Sequence, residues 1–394
     1  MSDFTDTSDG FDSSDGSLRG VLLDTVEWLS RYIVVAEQSD IEMLALWAAH
    51  THLSHRFYTT PRLIIDSAMP GSGKTTVLEH LARLSHAPIQ AASVSSAALI
   101  SRLIAEGPRT ILIDEADRSL DPKNPINAEL LANINSGYKR GATRPVLVPV
   151  KGGAWESQEL STFAPVAMAG NAPHLPDDTR SRALRIVLMP DFEGRAEESD
   201  WEEIEPQAVD LGARLAELML SHEEAIAKAR PPMPDGCRGR AKERWAPLAR
   251  IASVAGGMWP QVVSDLIERN LDEVTQELND GLAAVPPAVS LVTHIHQVWP
   301  DAHDFMRTGD LINLLVNLEP LMWGDASSYG KRLTAQRLGR MLSQAFKIHS
   351  TKRFDDQRGY QRSAFELVWR RFGLGVLPVT VGTVEPVGSV GGAA

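Results

Sequence analysis

Gly71-Ser72-Gly73-Lys74-Thr75-Thr76 stands between an apolar run, Leu63-Ile64-Ile65, and a segment whose apolar residues recur at helical spacing, Val77, Leu78, Leu81 and Leu84. A strand that turns through glycines straight into a helix points several backbone N–H groups at one place, where the helix dipole also favours negative charge. The stretch from Pro70 to Thr76 therefore reads as a phosphate cradle. Lys74 supplies a mobile positive charge for the β- and γ-phosphates, and the Thr75 hydroxyl is placed to ligate Mg²⁺. Ala68 occupies the position where such loops usually begin with glycine.

A second segment makes the cradle part of a nucleotide site. Thr110-Ile111-Leu112-Ile113 is an apolar strand that ends in Asp114-Glu115, with Asp117 close behind. In a buried parallel strand the apolar residues have only core to face, so the two acids emerge at the carboxyl end, beside the loop. Asp114 is expected in the Mg²⁺ shell and Glu115 as the group that polarises the attacking water. Asp117 fits a capping or salt-bridging role at least as well as a catalytic one. The run from Thr162 to Asn171 is a further strand, delivering Asn171 to orient that water. Arg180 and Arg182 follow just before a last strand from Leu184 to Met189. They are placed away from their own nucleotide, and Arg182, then Arg180, is expected to meet the γ-phosphate of a neighbouring subunit. The cofactors implied are ATP and Mg²⁺.

The alternation of strands and helices between these motifs implies an α/β fold with a parallel sheet covered on both faces. Residues 1–19 read as a disordered acidic tail, 20–190 as the nucleotide-binding core with N-terminal helices, and 191–285 as an acidic linker and helical lid. Within the lid Arg238, Arg240 and Arg244 precede an apolar helix, and Arg240 is the one expected to reach back to the nucleotide. Residues 286–372 read as a basic domain of winged-helix order, and 373–394 as a disordered tail. Its third helix carries Leu338, Met341, Leu342, Ala345 and Phe346 on one face and Arg337, Arg340 and Gln344 on the other. That helix can enter a major groove, with Arg337 and Arg340 contacting DNA.

The net charge of −12 over 394 residues argues against nucleic acid until it is located. Residues 1–19 carry −4 and residues 191–206 carry −7, whereas residues 326–371 hold eleven Lys and Arg against three acids. A basic module on an otherwise acidic chain fits a localised contact to a phosphate backbone. Cys237 is alone, which excludes an intrachain disulfide and suits a reducing, cytoplasmic setting. No apolar run reaches the ~18–20 residues of a membrane span. His50, His52 and His55, like His294 and His296, lack a Cys or carboxylate at ligand spacing, so no structural zinc is expected.

With these residues placed, the chain resembles a P-loop ATPase family of phage, plasmid and integrated-element genomes, known chiefly as a domain of unknown function. The resemblance runs from about residue 20 to residue 371. It is carried by Leu46-Trp-Ala-Ala-His-Thr-His-Leu53, Thr60-Pro-Arg-Leu63, the phosphate loop, Leu112-Ile-Asp-Glu-Ala-Asp117, Ser161-Thr-Phe163, Leu175-Pro-Asp177, Arg244-Trp-Ala-Pro-Leu248, Ala255-Gly-Gly-Met-Trp-Pro260 and the closing block Arg358 to Trp369. The doubled Asp177-Asp178 departs from the common pattern. The resemblance implies an AAA+-type ring ATPase found fused to or beside primase domains, hence a DNA helicase or translocase working as a hexameric homo-oligomer on single- or double-stranded DNA. No primase segment precedes residue 20, so a primase or other replication protein is expected as a separate partner. By analogy with ring helicases, Lys151 would sit at the tip of a hairpin in the central channel, with Lys139 and Arg140 as further channel contacts. The alternative is a nucleotide-gated helicase loader or DNA-bound switch that hydrolyses slowly and does not unwind.

Overall fold

The computed structural model describes residues 16–91, 97–122, 124–149, 155–171, 173, 175–279, 286–325, 331–352 and 358–374. The chain divides into two compact units between Glu273 and Val274. The first contains, in order, α1 (Leu18–Tyr32), α2 (Ser39–His52), β1 (Arg62–Ser67), α3 (Lys74–Leu84), β2 (Pro88–Ala91), α4 (Ala97–Ala105), β3 (Thr110–Ile113), α5 (Ala116–Ser119), α6 (Pro125–Ser136), β4 (Thr143–Pro149), β5 (Trp155–Ser161), β6 (Val166–Asn171), α7 (Asp177–Arg180), β7 (Ala183–Leu188), α8 (Trp201–Ser221), α9 (Glu223–Lys228) and α10 (Arg240–Ala255). Helix α11 (Trp259–Asn279) runs across the division.

Five strands form one parallel sheet in the order β2-β3-β6-β1-β7. Its central strands are short apolar runs because both faces are covered. Alternate residues serve different cores. Leu63, Ile65, Leu112, Ala167 and Ala169 pack with helices α1, α2, α3, α8 and α10, while Ile64, Ile111, Ile113, Val166 and Met168 pack with α4 and α6. Strands β4 and β5 pair separately as an antiparallel hairpin, from Thr143 opposite Ser161 to Pro149 opposite Trp155.

Helix α8 begins inside the stretch whose charge reads as a linker. Asp200 caps it by accepting from the Glu202 N–H at 3.0 Å. Ile204, Ala208, Leu211, Leu215 and Met219 then recur at helical spacing and enter the same core as the sheet. The acids lie outside that stripe, where Glu197 pairs with Arg31 and Glu205 with Arg83. A Cβ on Gly212 would lie 2.2 Å from the Arg83 carbonyl oxygen, so α3 and α8 touch there only because the position is glycine.

Helix α10 carries Pro247 in its interior. Proline has no N–H, so the Glu243 carbonyl one turn earlier loses its helical partner. The Thr59 hydroxyl supplies the missing donor at 2.6 Å. Thr59→Val is expected to leave that carbonyl unsatisfied and to cost about 1–3 kcal/mol, read as a lower denaturation midpoint at unchanged slope; an unchanged midpoint would contradict this account.

Arg62, at the start of β1, is fully buried and among the described residues its side chain bonds to carbonyls. Its Nε donates to the Ile134 oxygen at 3.0 Å, and its Nη1 to those of Ala164 at 2.6 Å and Thr60 at 3.3 Å. Ile134 lies in the last turn of α6, where unpaired carbonyls and the helix dipole favour a cation. Burial nevertheless pulls the Arg62 pKa down to about 9.

Three histidines of this unit are buried in neutral form. His50 donates from Nδ1 to the Trp47 carbonyl and accepts at Nε2 from Thr60, His52 donates to the Leu84 carbonyl, and His80 accepts at Nδ1 from the Trp28 indole. Burial is the main cause that lowers their pKa values to about 3, about 4 and about 4. The unfolded chain takes up protons at these sites below pH ~6.5, while the native state does not until near pH 4. Stability is therefore full above pH ~6.5 and falls with pH, by roughly 1.4 kcal/mol per histidine per pH unit. Chemical denaturation at pH 7 and pH 5 is expected to show this loss; equal stability at the two pH values would refute it.

The second unit comprises α12 (Pro287–Val298), β8 (Phe305–Arg307), α13 (Thr308–Leu318), α14 (Pro320–Trp323), α15 (Ala335–Phe346), β9 (Thr351–Lys352), β10 (Arg358–Gln361) and α16 (Ser363–Arg371). Its core includes Leu291, Ile295, Leu311, Leu315, Trp323, Leu338, Leu342, Tyr360 and Phe365. Strands β8, β10 and β9 form an antiparallel sheet in that order. Strand β8 has three residues, too few to show an alternation. Gly359 permits the pairing, since a Cβ there would lie 2.2 Å from the Met306 oxygen. Thr334 caps α15 by accepting from the Arg337 N–H at 3.2 Å. Leu338 and Leu342 of α15 are buried, but Ala345, expected in the same stripe, is exposed at the helix end.

Candidate nucleotide site

The sheet brings the motif residues together at its carboxyl edge. Strand β6 lies between β1 and β3, with Ser67 opposite Asn171 and Ile113 opposite Met168. Asn171 thus stands between the phosphate loop that follows β1 and the acidic pair that follows β3. Gly71 and Gly73 have φ of 79° and 82°, a region open to glycine at little cost. These two turns carry the chain from the strand into the first residue of α3, Lys74. Ser72 steadies the loop by donating to the Met69 carbonyl at 2.9 Å.

The Lys74 ammonium donates to Asn171 Oδ1 at 2.7 Å, Ser67 Oγ at 2.9 Å and the Met69 carbonyl at 3.3 Å. All three acceptors are uncharged, so its full positive charge remains available to an anion. Thr75 Oγ1 donates to Asp114 Oδ2 at 2.9 Å, and the other Asp114 oxygen accepts from the Glu115 N–H at 2.8 Å. A hydroxyl and a carboxylate held together beside a phosphate loop form a hard oxygen donor pair of the kind Mg²⁺ takes with substrate phosphates. Glu115 has φ of 49°, a strained value for a side-chain-bearing residue. It is largely exposed, and Arg118 flanks its carboxylate at 3.4 Å. Thr76 and Pro70 complete the loop sequence, but no side-chain contact defines a role for either.

Asp117 has a positional role. Its Oδ1 accepts from the Asn171 N–H at 3.3 Å. A Cβ on Gly170 would lie 2.9 Å from Asp117 Oδ1, so glycine is required for the approach. Ser67, which sequence reasoning did not single out, both accepts from Lys74 and donates to the Met69 carbonyl. Its only sequence signal is its place as the last strand residue before the loop.

The arginines gather elsewhere. The Arg182 carbonyl accepts from the Arg62 N–H at 3.1 Å, at the start of β1. The phosphate loop follows the far end of that strand, five residues on, about 16 Å at a strand rise of roughly 3.3 Å per residue. Arg182 is bound to Asp178, and its guanidinium lies 5.9 Å from the Tyr138 ring centroid. Arg180 pairs with Asp177 at 2.7 Å. Arg240, expected at its own nucleotide, instead reaches Asp178 at 3.1 Å and Ser181 Oγ at 2.8 Å. It is the first residue of α10, and α10 seats that turn against α7 and the start of β7, where the Arg244 guanidinium donates to the Ala183 carbonyl at 3.3 Å. Hydrogen bonds from Arg182 and then Arg240 hold the Asp178 carboxyl below its ordinary range.

Of the residues expected to touch DNA, Lys139 forms an ion pair with Glu243 at 2.8 Å, and Arg140 donates to the His55 carbonyl at 2.9 Å. Lys151 lies outside the described residues. Arg340 is exposed on α15, and Arg337 on the same helix donates to the Lys331 carbonyl at 2.8 Å. Among the described residues no helix is long and apolar enough to cross a membrane.

A family model matches the second half of the chain. Residues 194–372 match the family described as a protein of unknown function, DUF3631. The DUF3631 match takes in α8 to α16, whereas the phosphate loop and the Asp114–Glu115 pair precede it. The earlier resemblance to a domain of unknown function thus has a family match beneath it over that range. An uncharacterized 28.9 kDa protein in the xis 5′ region of Saccharopolyspora erythraea is 29% identical over 167 residues, 41% of this chain. The alignment spans 59% of that protein. The apo structure of the NrS-1 C terminal region (305-718) superposes with a TM-score of 0.39 at 11% identity, covering 87% of this chain and 74% of that one. An A-form apo structure of the same region gives a TM-score of 0.35 over the same shares.

Proposed function

We propose that the protein is an ATP-hydrolysing motor of AAA+ type that acts on DNA in the replication of a phage or other mobile element, working as an oligomeric ring. The observation that carries the reading is the Lys74 ammonium, held by three neutral acceptors beside the Thr75–Asp114 pair at the carboxyl edge of a parallel sheet. A triphosphate in the loop would meet the Lys74 charge and the N-terminus of α3. Thr75 and Asp114 would hold Mg²⁺, which supplies charge neutralisation at the phosphates. Glu115 takes the proton of the attacking water, and Asn171 orients that water between the acidic pair and the loop. Arg182, too far along β1 to serve its own nucleotide, serves the γ-phosphate of a second copy.

DNA is the track favoured by the local charge. The second unit presents Arg340, Lys347, Lys352, Arg358 and Arg370 as exposed cations around α15 and the β9–β10 pair. A winged-helix contact through α15 and a ring channel lined from the β4–β5 hairpin are the corresponding surfaces. The relative from the xis 5′ region supports the mobile-element setting. Glu115→Gln is expected to keep ATP affinity while turnover falls by about 10²–10⁴-fold, the range of a lost general base. Turnover within threefold of the parent chain would remove Glu115 from this role.

A further inference from the structure

Two arginines that the chain places far apart, Arg182 before β7 and Arg240 opening α10, converge on one carboxylate. Asp178 binds the Arg182 guanidinium and, through the same oxygen, Arg240 Nη1 at 3.1 Å; Arg240 also donates to Ser181. Asp177 is occupied separately by Arg180. The two guanidiniums around Asp178 carry one positive charge beyond what that carboxylate cancels. A cleft of about 520 Å³ opens beside them between α6 and α7, lined by Leu131, Asn135, Pro176, Asp178 and Arg182. Arg182 lines this cleft and Arg240 does not, but the cluster of two guanidiniums on one carboxylate keeps a surplus positive charge and forked donors suited to a phosphate group, at the end of β1 opposite its own phosphate loop.

We propose that Asp178 is a positioning residue, which holds Arg182 and Arg240 together as a two-guanidinium receptor for the γ-phosphate of ATP bound to a second copy of this chain. The inference rests on the ring-ATPase reading above. Its physical content is preorganisation: without the carboxylate, two long side chains of like charge move apart, and a small misplacement of such groups costs about 10²-fold in rate. Asp178 itself touches no reacting atom.

The test is complementation between full-length variants. Asp178→Asn is expected to bind ATP normally and to lose turnover about 10²-fold, with Asp178→Glu recovering most of the loss because it restores the anion. Mixing Asp178→Asn with Lys74→Ala, which lacks a nucleotide site but has an intact arginine cluster, is expected to restore turnover well above the sum of the two. Parent-level turnover by Asp178→Asn alone would overturn the inference. So would failure of that mixture when Arg182→Ala mixed with Lys74→Ala does recover, which would leave the trans arginine standing without Asp178. If neither mixture recovers, the trans reading itself falls and takes the inference with it. Asp178 is more than half exposed, so a folded Asp178→Asn variant is expected, and its melting curve reports whether any loss is structural.

Discussion

Lys74→Ala is expected to abolish ATP binding by the full-length chain. The ammonium donates to both the loop carbonyl at Met69 and the strand residue Asn171. Its removal leaves the loop with neutral backbone donors facing a tetraanion. Charge-assisted contacts are roughly twice as strong as neutral ones, and the loop lysine contacts both of the outer phosphates. Titration calorimetry with ATP and Mg²⁺ should give heat for the parent chain and none for the variant at the same concentrations. Retained affinity would mean that the phosphates lie elsewhere.

Arg182→Ala is expected to bind ATP as the parent does but to turn it over about 10³-fold more slowly, the scale on which phosphoryl-transfer machines depend on a trans arginine. The position of the residue separates the two effects. Its backbone is anchored to Arg62 at the beginning of β1, whereas the phosphate loop follows the other end of that strand. The defect should therefore appear in kcat, with KM nearly unchanged. A rise in KM at constant kcat would place Arg182 at its own nucleotide instead, against the geometry. Arg180, which is half exposed and pairs with Asp177 at the protein surface, is expected to show a much smaller effect.

The parts of the structure that were legible in the sequence are those fixed by local patterns. Leu63-Ile64-Ile65 and Ile111-Leu112-Ile113 are buried on both faces, and a chain that must run from such a strand through Gly71 and Gly73 into a helix has few alternatives. Those patterns also placed Asp114 and Glu115 at the strand end. The less legible features depend on partners distant in the chain. Pro247 in a helix looks like a defect until Thr59 is found to bond the carbonyl it frees. The acids of residues 191–206 look like a linker because charge dominates composition there, while the apolar spacing of α8 becomes clear only where α8 packs on α1 and α3. Arg240 lies about sixty residues after Asp178, and no local rule pairs them. Strand β8 was missed for another reason: three residues carry too little pattern to distinguish a strand from a loop.

Steady-state phosphate release from ATP by the full-length protein, with and without single-stranded DNA and with salt varied, decides whether the loop and the acidic pair drive a DNA motor. A DNA motor should show Mg²⁺-dependent turnover that rises severalfold or more with DNA and whose stimulation weakens steeply as salt increases, because basic contacts release counterions on binding. Absence of ATP hydrolysis under all of these conditions would contradict the reading of the site, and slow turnover indifferent to DNA would contradict the motor.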